Sequence, residues 1–237
     1  MSLEQLRAEV LAANQGLVSA GLVTLSFGNA SGIDRASGVM IIKPSGVPYD
    51  RLRPADLVAV DLRSGAVEDD TYRPSSDTPT HLALYRRYPD IGGVVHTHSS
   101  WASSWAQAGR SIPCLGTTHA DHFHGPVPVT RAMAPRELGD SYEADTGAVI
   151  IETLDGLTLA PLEMPAVLVR SHGPFTWGVD ATEAMANAVA LEAVAAMAHR
   201  TLALDPAASQ INEALLDRHF RRKHGPAAYY GQAGKRG

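Results

Sequence analysis

Gly93-Val94-Val95-His96-Thr97-His98-Ser99 sets two histidines two residues apart behind a glycine–valine run. Such a run reads as a buried strand, and alternate strand residues share a face. His96 and His98 are therefore expected to point the same way, as half of a divalent-metal site. A buried strand needs cover on both sides, so the rest of the chain must supply a sheet and helices for two faces.

The remaining segments supply them. Leu3 to Ala20 has helical apolar spacing and stops at Gly21, a suitable residue to follow a helix end. Val39-Met40-Ile41-Ile42, Leu57-Val58-Ala59-Val60, Val127-Pro128-Val129, Ala148-Val149-Ile150-Ile151 and Ala166 to Val169 read as β-like runs. Thr78 to Tyr88, Ser99 to Ala108 and Ser209 to Lys223 read as helices. So does a long alanine-rich stretch to about Leu204, opened by a capping box at Asp180-Ala181-Thr182-Glu183. Strands and helices are intermixed without repeats or a Ser/Gly linker. The expectation is α/β: one three-layer α/β/α domain spanning residues 1–237. At 237 residues, 45% hydrophobic and 19% charged, the chain can bury such a core.

Composition narrows the function. A net charge of −5 disfavours a nucleic-acid surface. No apolar run reaches the ~18–20 residues that span a bilayer. The first residues carry acid and no apolar signal core. One cysteine, Cys114, excludes an intrachain disulfide. These features place the protein in the cytoplasm.

A third imidazole, His172, follows the β-like run before Ser171, and Asp77 in Ser75-Ser76-Asp77-Thr78-Pro79 offers an oxygen nearby. Together with His96 and His98 they can make a catalytic metal set with positions left open. Asp77 reads equally well as a helix N-cap, with proline early in the first turn. Three small-residue clusters, Ser26 to Gly32, Ile42-Lys43-Pro44-Ser45-Gly46-Val47 and Ser75-Ser76, allow backbone N–H groups to approach a phosphate, with Lys43 adding charge. They match neither a Walker loop nor a dinucleotide fingerprint, which favours a sugar phosphate. Gly116 to His124 holds His119, His122 and His124, which share no strand face, and Asp121, a candidate general base. Tyr229-Tyr230 near the C-terminus is unusually aromatic for a tail and suits packing on this subunit or a neighbour.

Ser75 to His81, His96-Thr97-His98-Ser99, Gly116 to His122, Ser171-His172-Gly173-Pro174-Phe175 and Lys223 to Gln232 together resemble the L-ribulose-5-phosphate 4-epimerases of the class II aldolase/epimerase superfamily. The resemblance runs in order along nearly the whole chain. It implies an α/β/α domain with a central, mostly antiparallel sheet. It also implies a C4 homotetramer with sites at subunit interfaces, and one divalent metal per subunit: zinc, with Mn²⁺ or Co²⁺ as alternatives. By motif, His96, His98 and His172 are ligands with Asp77 at the metal. Asn29, Lys43, Ser45, Gly46, Ser75 and Ser76 hold the phosphate. Asp121 and Tyr230 are the acid/base pair, Tyr230 reaching in from the next subunit. His219 and Arg222 approach the neighbour's site. The superfamily's fuculose-1-phosphate aldolases carry a glutamate where this chain has Asp77, and its adducin-like modules lack the metal ligands; both differences favour an epimerase. Pro226-Ala227-Ala228 is less polar than the resemblance leads one to expect.

Overall fold

The structure is a computed structural model and describes residues 1–67, 71–157, 160–224 and 228–229. Its centre is a six-stranded sheet of β1 (Asn29–Asp34), β2 (Val39–Ile42), β3 (Val58–Asp61), β4 (Gly93–His96), β5 (Ala166–Leu168) and β6 (Pro174–Gly178). The strand order is β3-β2-β1-β4-β6-β5, and every pairing between these strands is antiparallel.

Alternation along the strands builds the layers. Met40, Ile42, Val58, Val60, Val94, Phe175 and Trp177 point to one face. There they meet α2 (Thr78–Arg87) and α5 (Tyr142–Asp155) through Leu82, Tyr85, Ile150 and Leu154. Val39, Ile41, Ala59 and Val95 point to the other face, against α1 (Leu3–Ser19) and α6 (Ala181–Leu204). α3 (Ser100–Ala108) packs with the second half of α6 around Trp105, Leu191 and Val194. Two apolar faces covered by helices give the expected three layers. α4 (Thr117–Ala120) and α7 (Glu213–His224) complete the chain. Among the described residues, no helix is long and apolar enough to cross a membrane.

Several local expectations need correction. Ala148 to Ile151 is not a strand but the middle of α5. Its buried residues, Thr146, Val149, Ile150 and Leu154, recur at helical spacing. Gly147 lets α5 press on α2, where a Cβ would come within 2.8 Å of Ala83 Cβ. Val127 and Val129 make isolated bridges rather than a strand. The last helix starts at Glu213, and the strand before the histidine pair stops at His96. At α6 only half of the capping box forms. Asp180 caps Glu183 N–H at 2.7 Å, whereas the Glu183 carboxylate accepts from Val179 N–H. β1 and β6 are additions to the predicted strands.

Candidate active site

Three central strands end together and place the histidines. Asn29 of β1 lies opposite His96 of β4, and His96 lies opposite Phe175 of β6. Directly opposed residues share a face, so all three stand on the α2 side of the sheet. His96 stacks on Phe175 with centroids 4.2 Å apart. Its Nδ1 is 2.9 Å from the Pro174 carbonyl, which can only accept, so Nδ1 donates and Nε2 offers a lone pair. His98 lies beyond the strand, yet its Nε2 comes within 3.0 Å of His96 Nε2.

His172 arrives from the β5–β6 turn. Ser171 adopts a left-handed φ of 63°, an uncommon conformation for a non-glycine residue, and His172 N–H bonds to the Val169 carbonyl. A Cβ at Gly173 would lie 2.7 Å from the Thr97 carbonyl, so only glycine lets this turn close on the histidine pair. The three rings meet edge to face, with centroids 4.8–5.0 Å apart. One ligand atom from each lies within 4.8 Å of the others. Among the described residues no other such group converges.

This donor set fits a divalent cation. Burial, with neighbouring imidazoles, pushes His172 down to about 4 and lowers His98, so both are neutral bases at physiological pH. Nitrogens ~2.0–2.1 Å from a tetrahedral ion lie roughly 3.3 Å apart, close to the His96–His98 separation. Tyr142 Oη is 3.1 Å from His172 Nδ1, an outer contact that can fix that ring.

Asp77 stands at the N-cap position of α2 with Pro79 in the first turn, as the sequence predicts, but its side chain makes no cap hydrogen bond. Its Oδ2 accepts from Asn29 Nδ2 at 2.6 Å. Burial works to raise its pKa. The neighbouring imidazoles of His96, His81 and His172 and the Asn29 hydrogen bond outweigh burial and lower it. Asp77 lines a cavity of about 400 Å³ together with His96, His98 and His172. All six residues expected to hold phosphate, Asn29, Lys43, Ser45, Gly46, Ser75 and Ser76, line it too. The loops are tied together: Ser75 N–H donates to the Lys43 carbonyl and Ser45 N–H to that of Arg73. Lys43 is 2% exposed; its Nζ bonds the Pro44 carbonyl at 3.2 Å and lies 4.7 Å from the Tyr49 ring centroid. Burial lowers its pKa. Gly28 has φ 96°, and a Cβ there would lie 2.8 Å from the His96 carbonyl. Phe27, Tyr142 and Glu143 also line the cavity; sequence reasoning gave none of them a role.

Asp121 is not among the residues lining this cavity. It accepts from Arg222 at 2.6 and 2.9 Å and lies 3.1 Å from His219 Nδ1, both on α7 of the same chain. Burial would raise its pKa, but the hydrogen bonds from Arg222 and His219 outweigh that and lower it. His119 bonds the Gly125 carbonyl, His122 lies 3.3 Å from Lys223 Nζ, and His124 pairs with Asp217, so these three histidines are separately engaged. Tyr230 lies outside the described residues.

Residues 8–199 match the model of the class II aldolase and adducin N-terminal domain. The chain is 53% identical over 230 residues to L-ribulose-5-phosphate 4-epimerase UlaF of Salmonella paratyphi B, covering 97% of this chain and 100% of that protein. Among solved structures it is similar to an L-fuculose 1-phosphate aldolase, with TM-score 0.78 and 20% identity over 92% of this chain and 95% of the other. It is also similar to YgbL of Klebsiella pneumoniae, described as a putative aldolase/epimerase/decarboxylase. That match has TM-score 0.70 and 26% identity over 92% and 99% of the two chains.

Proposed function

The chain belongs to the class II aldolase and adducin N-terminal domain family, and from that premise we propose that it is a metal-dependent epimerase. It interconverts L-ribulose 5-phosphate and D-xylulose 5-phosphate by inverting C4, the activity named for its 53%-identical relative. The observation that carries the reading is one cavity that joins three converging imidazoles to a buried lysine and serine loops. A non-enzymatic, adducin-like role does not call for converging ligands.

The C4 proton is not adjacent to the C2 carbonyl and is not acidic, so inversion proceeds by retro-aldol cleavage. The residues that would hold the cation are His96, His98 and His172, with Asp77 beside them. Zinc is the proposed ion; three protein nitrogens do not distinguish it from Mn²⁺ or Co²⁺. When bound it supplies Lewis acidity to the sugar oxygens. A base removes the C4 hydroxyl proton, the C3–C4 pair becomes the C2–C3 double bond as the carbonyl pair moves to the C2 oxygen, and the sugar separates into a three-carbon enediolate and glycolaldehyde phosphate. Lys43, Ser45, Gly46, Ser75 and Ser76 keep its phosphate in place while the aldehyde turns. Re-addition to its opposite face, with proton return to the C4 oxygen, completes the inversion. Asp121 and Tyr230 are the proposed acid and base.

The placement of Asp121 outside its own chain's cavity supports a homotetrameric ring in which a neighbour completes each site. The enzyme works in the cytoplasm. Purified protein supplied with L-ribulose 5-phosphate should form D-xylulose 5-phosphate. Efficient cleavage of L-fuculose 1-phosphate with the pentulose left untouched would instead make it an aldolase.

A further inference from the structure

Asp77, His81 and Tyr85 stand at i, i+4 and i+8 along α2, one stripe of the helix. Ser31 of β1 meets the last two: its Oγ is 2.7 Å from His81 Nδ1 and 2.8 Å from the Tyr85 hydroxyl. His81 is fully buried, and its N–H donates to the Asp77 carbonyl at 3.1 Å. Its ring packs edge-on to Phe175, the same ring on which His96 stacks. Its Nε2 is buried without a hydrogen-bond partner.

The direction of this chain of hydrogen bonds follows from its donors. A fully buried imidazole is neutral and carries one N–H. The buried Tyr85 phenol is met by Ser31 Oγ and by the Val94 backbone, whose N–H can only donate, so the phenol proton goes to Ser31. The Ser31 proton then goes to His81 Nδ1, and the imidazole proton sits on Nε2. The opposite direction would strand the phenol proton in the core without an acceptor. An unpartnered Nε2–H is the remaining cost, and it lies within the field of the Asp77 carboxylate. Asp77 has a matching vacancy: Asn29 and Ser75 engage Oδ2, while Oδ1 carries no hydrogen bond among the described residues.

We infer that His81 is a positioning residue: its Nε2–H is reserved for Asp77 Oδ1, which accepts it when the carboxylate settles against bound substrate. Asn29 would then fix one carboxylate oxygen from β1 and His81 the other from within α2. Tyr85 and Ser31 act through His81 by fixing its tautomer. The turnover part of the test rests on the epimerase reading; the rest does not.

The first measurement is ¹⁵N NMR of the metal-free protein labelled at histidine ring nitrogens, with the His81 signals assigned by their loss in His81→Gln. Protonated Nε2 and unprotonated Nδ1 are expected; the reverse pattern overturns the inference. The second is a double-mutant cycle. A hydrogen bond to a charged group is worth ~1.5–3 kcal/mol, so His81→Asn should lower kcat roughly 10–150-fold with KM within about threefold. His81→Gln, whose amide N–H can occupy the Nε2 position, should recover to within about fivefold of wild type. On Asp77→Asn, His81→Asn should change kcat by less than about twofold. Independent effects of the two substitutions, or no rescue by His81→Gln, would show that His81 serves only the core. If His81→Asn does not fold, the tautomer in the wild-type protein decides. If wild type has no epimerase turnover, the functional reading fails, and the NMR pattern decides this one.

Discussion

Replacing Lys43 by methionine tests the phosphate pocket on two scales. The side chain keeps nearly its length and loses its charge. Of its three ammonium protons, one meets the Pro44 carbonyl and one faces the Tyr49 ring, leaving about one for a ligand in the cavity. A charge-assisted hydrogen bond is worth about 1.5–3 kcal/mol, or roughly a 10- to 150-fold rise in KM. The phosphate lies away from the bond that breaks, so the contact is made alike in ground and transition states, and kcat should fall less than about fivefold. Stability should move the other way. Burial lowers the Lys43 pKa, so at neutral pH the folded protein holds a proton that its surroundings disfavour. Above the lowered pKa the unfolded chain binds more protons than the folded one, and stability rises with pH until the ordinary value of 10.5. Lys43→Met removes this penalty. The melting temperature at pH 7 should therefore rise. The gain should shrink toward pH 10. A coupled assay for D-xylulose 5-phosphate and melting curves at pH 7 and pH 10 measure both. A collapse of kcat at constant KM would put Lys43 in the chemistry. A lower melting temperature at pH 7 would refute the burial argument.

Four other outcomes are expected. Elemental analysis after mild dialysis should find about one transition-metal ion per chain, and His98→Ala should lose it; full retention by His98→Ala would rule out the site. Tyr142→Phe should weaken metal affinity roughly 10- to 100-fold, measured by competition with a chelator, because the contact to His172 Nδ1 is lost; an unchanged affinity would leave Tyr142 with packing alone. Burial pushes His81 down to about 3 and His119, His122 and His172 to about 4, so acid protonates the unfolded chain first. Stability should therefore fall as pH drops from 6.5 toward 4, by up to ~1.4 kcal/mol per unit for each histidine, and flat urea midpoints over that range would contradict it. Co-expressing His98→Ala with Asp121→Asn tests the ring. If Asp121 serves a neighbour's cavity, random mixing leaves roughly a quarter of interfaces intact and about a quarter of wild-type activity. If it serves its own chain, none returns.

The histidine pair and the phosphate loops were legible because each lies within a few residues in sequence and its chemistry is explicit. His98 converges as alternation suggests, although the strand has already ended at His96. β1 was hidden because Asn29-Ala30-Ser31-Gly32 looks like a turn. There the small residues serve packing: a Cβ on Gly32 would lie 2.9 Å from Val10. α5 was hidden because Ala148 to Ile151 imitates a strand by composition, and Tyr142 and Glu143 were lost with it. The acidic first turn, followed by Thr146, Val149, Ile150 and Leu154, was the available signal. The Asp121–Arg222–His219 cluster joins segments about a hundred residues apart, which no local pattern reveals.

The position of His172 on the β5–β6 hairpin, far along the chain from His96 and His98, makes the three-imidazole centre a non-local fastening. A cation held there closes a long loop of chain and joins a hairpin near one end of the sheet to its middle. It would oppose peeling of that hairpin as well as serve chemistry. Amides of Ala166 to Gly178 should therefore gain more protection from exchange on loading than those of β2 and β3, which the fastening does not reach.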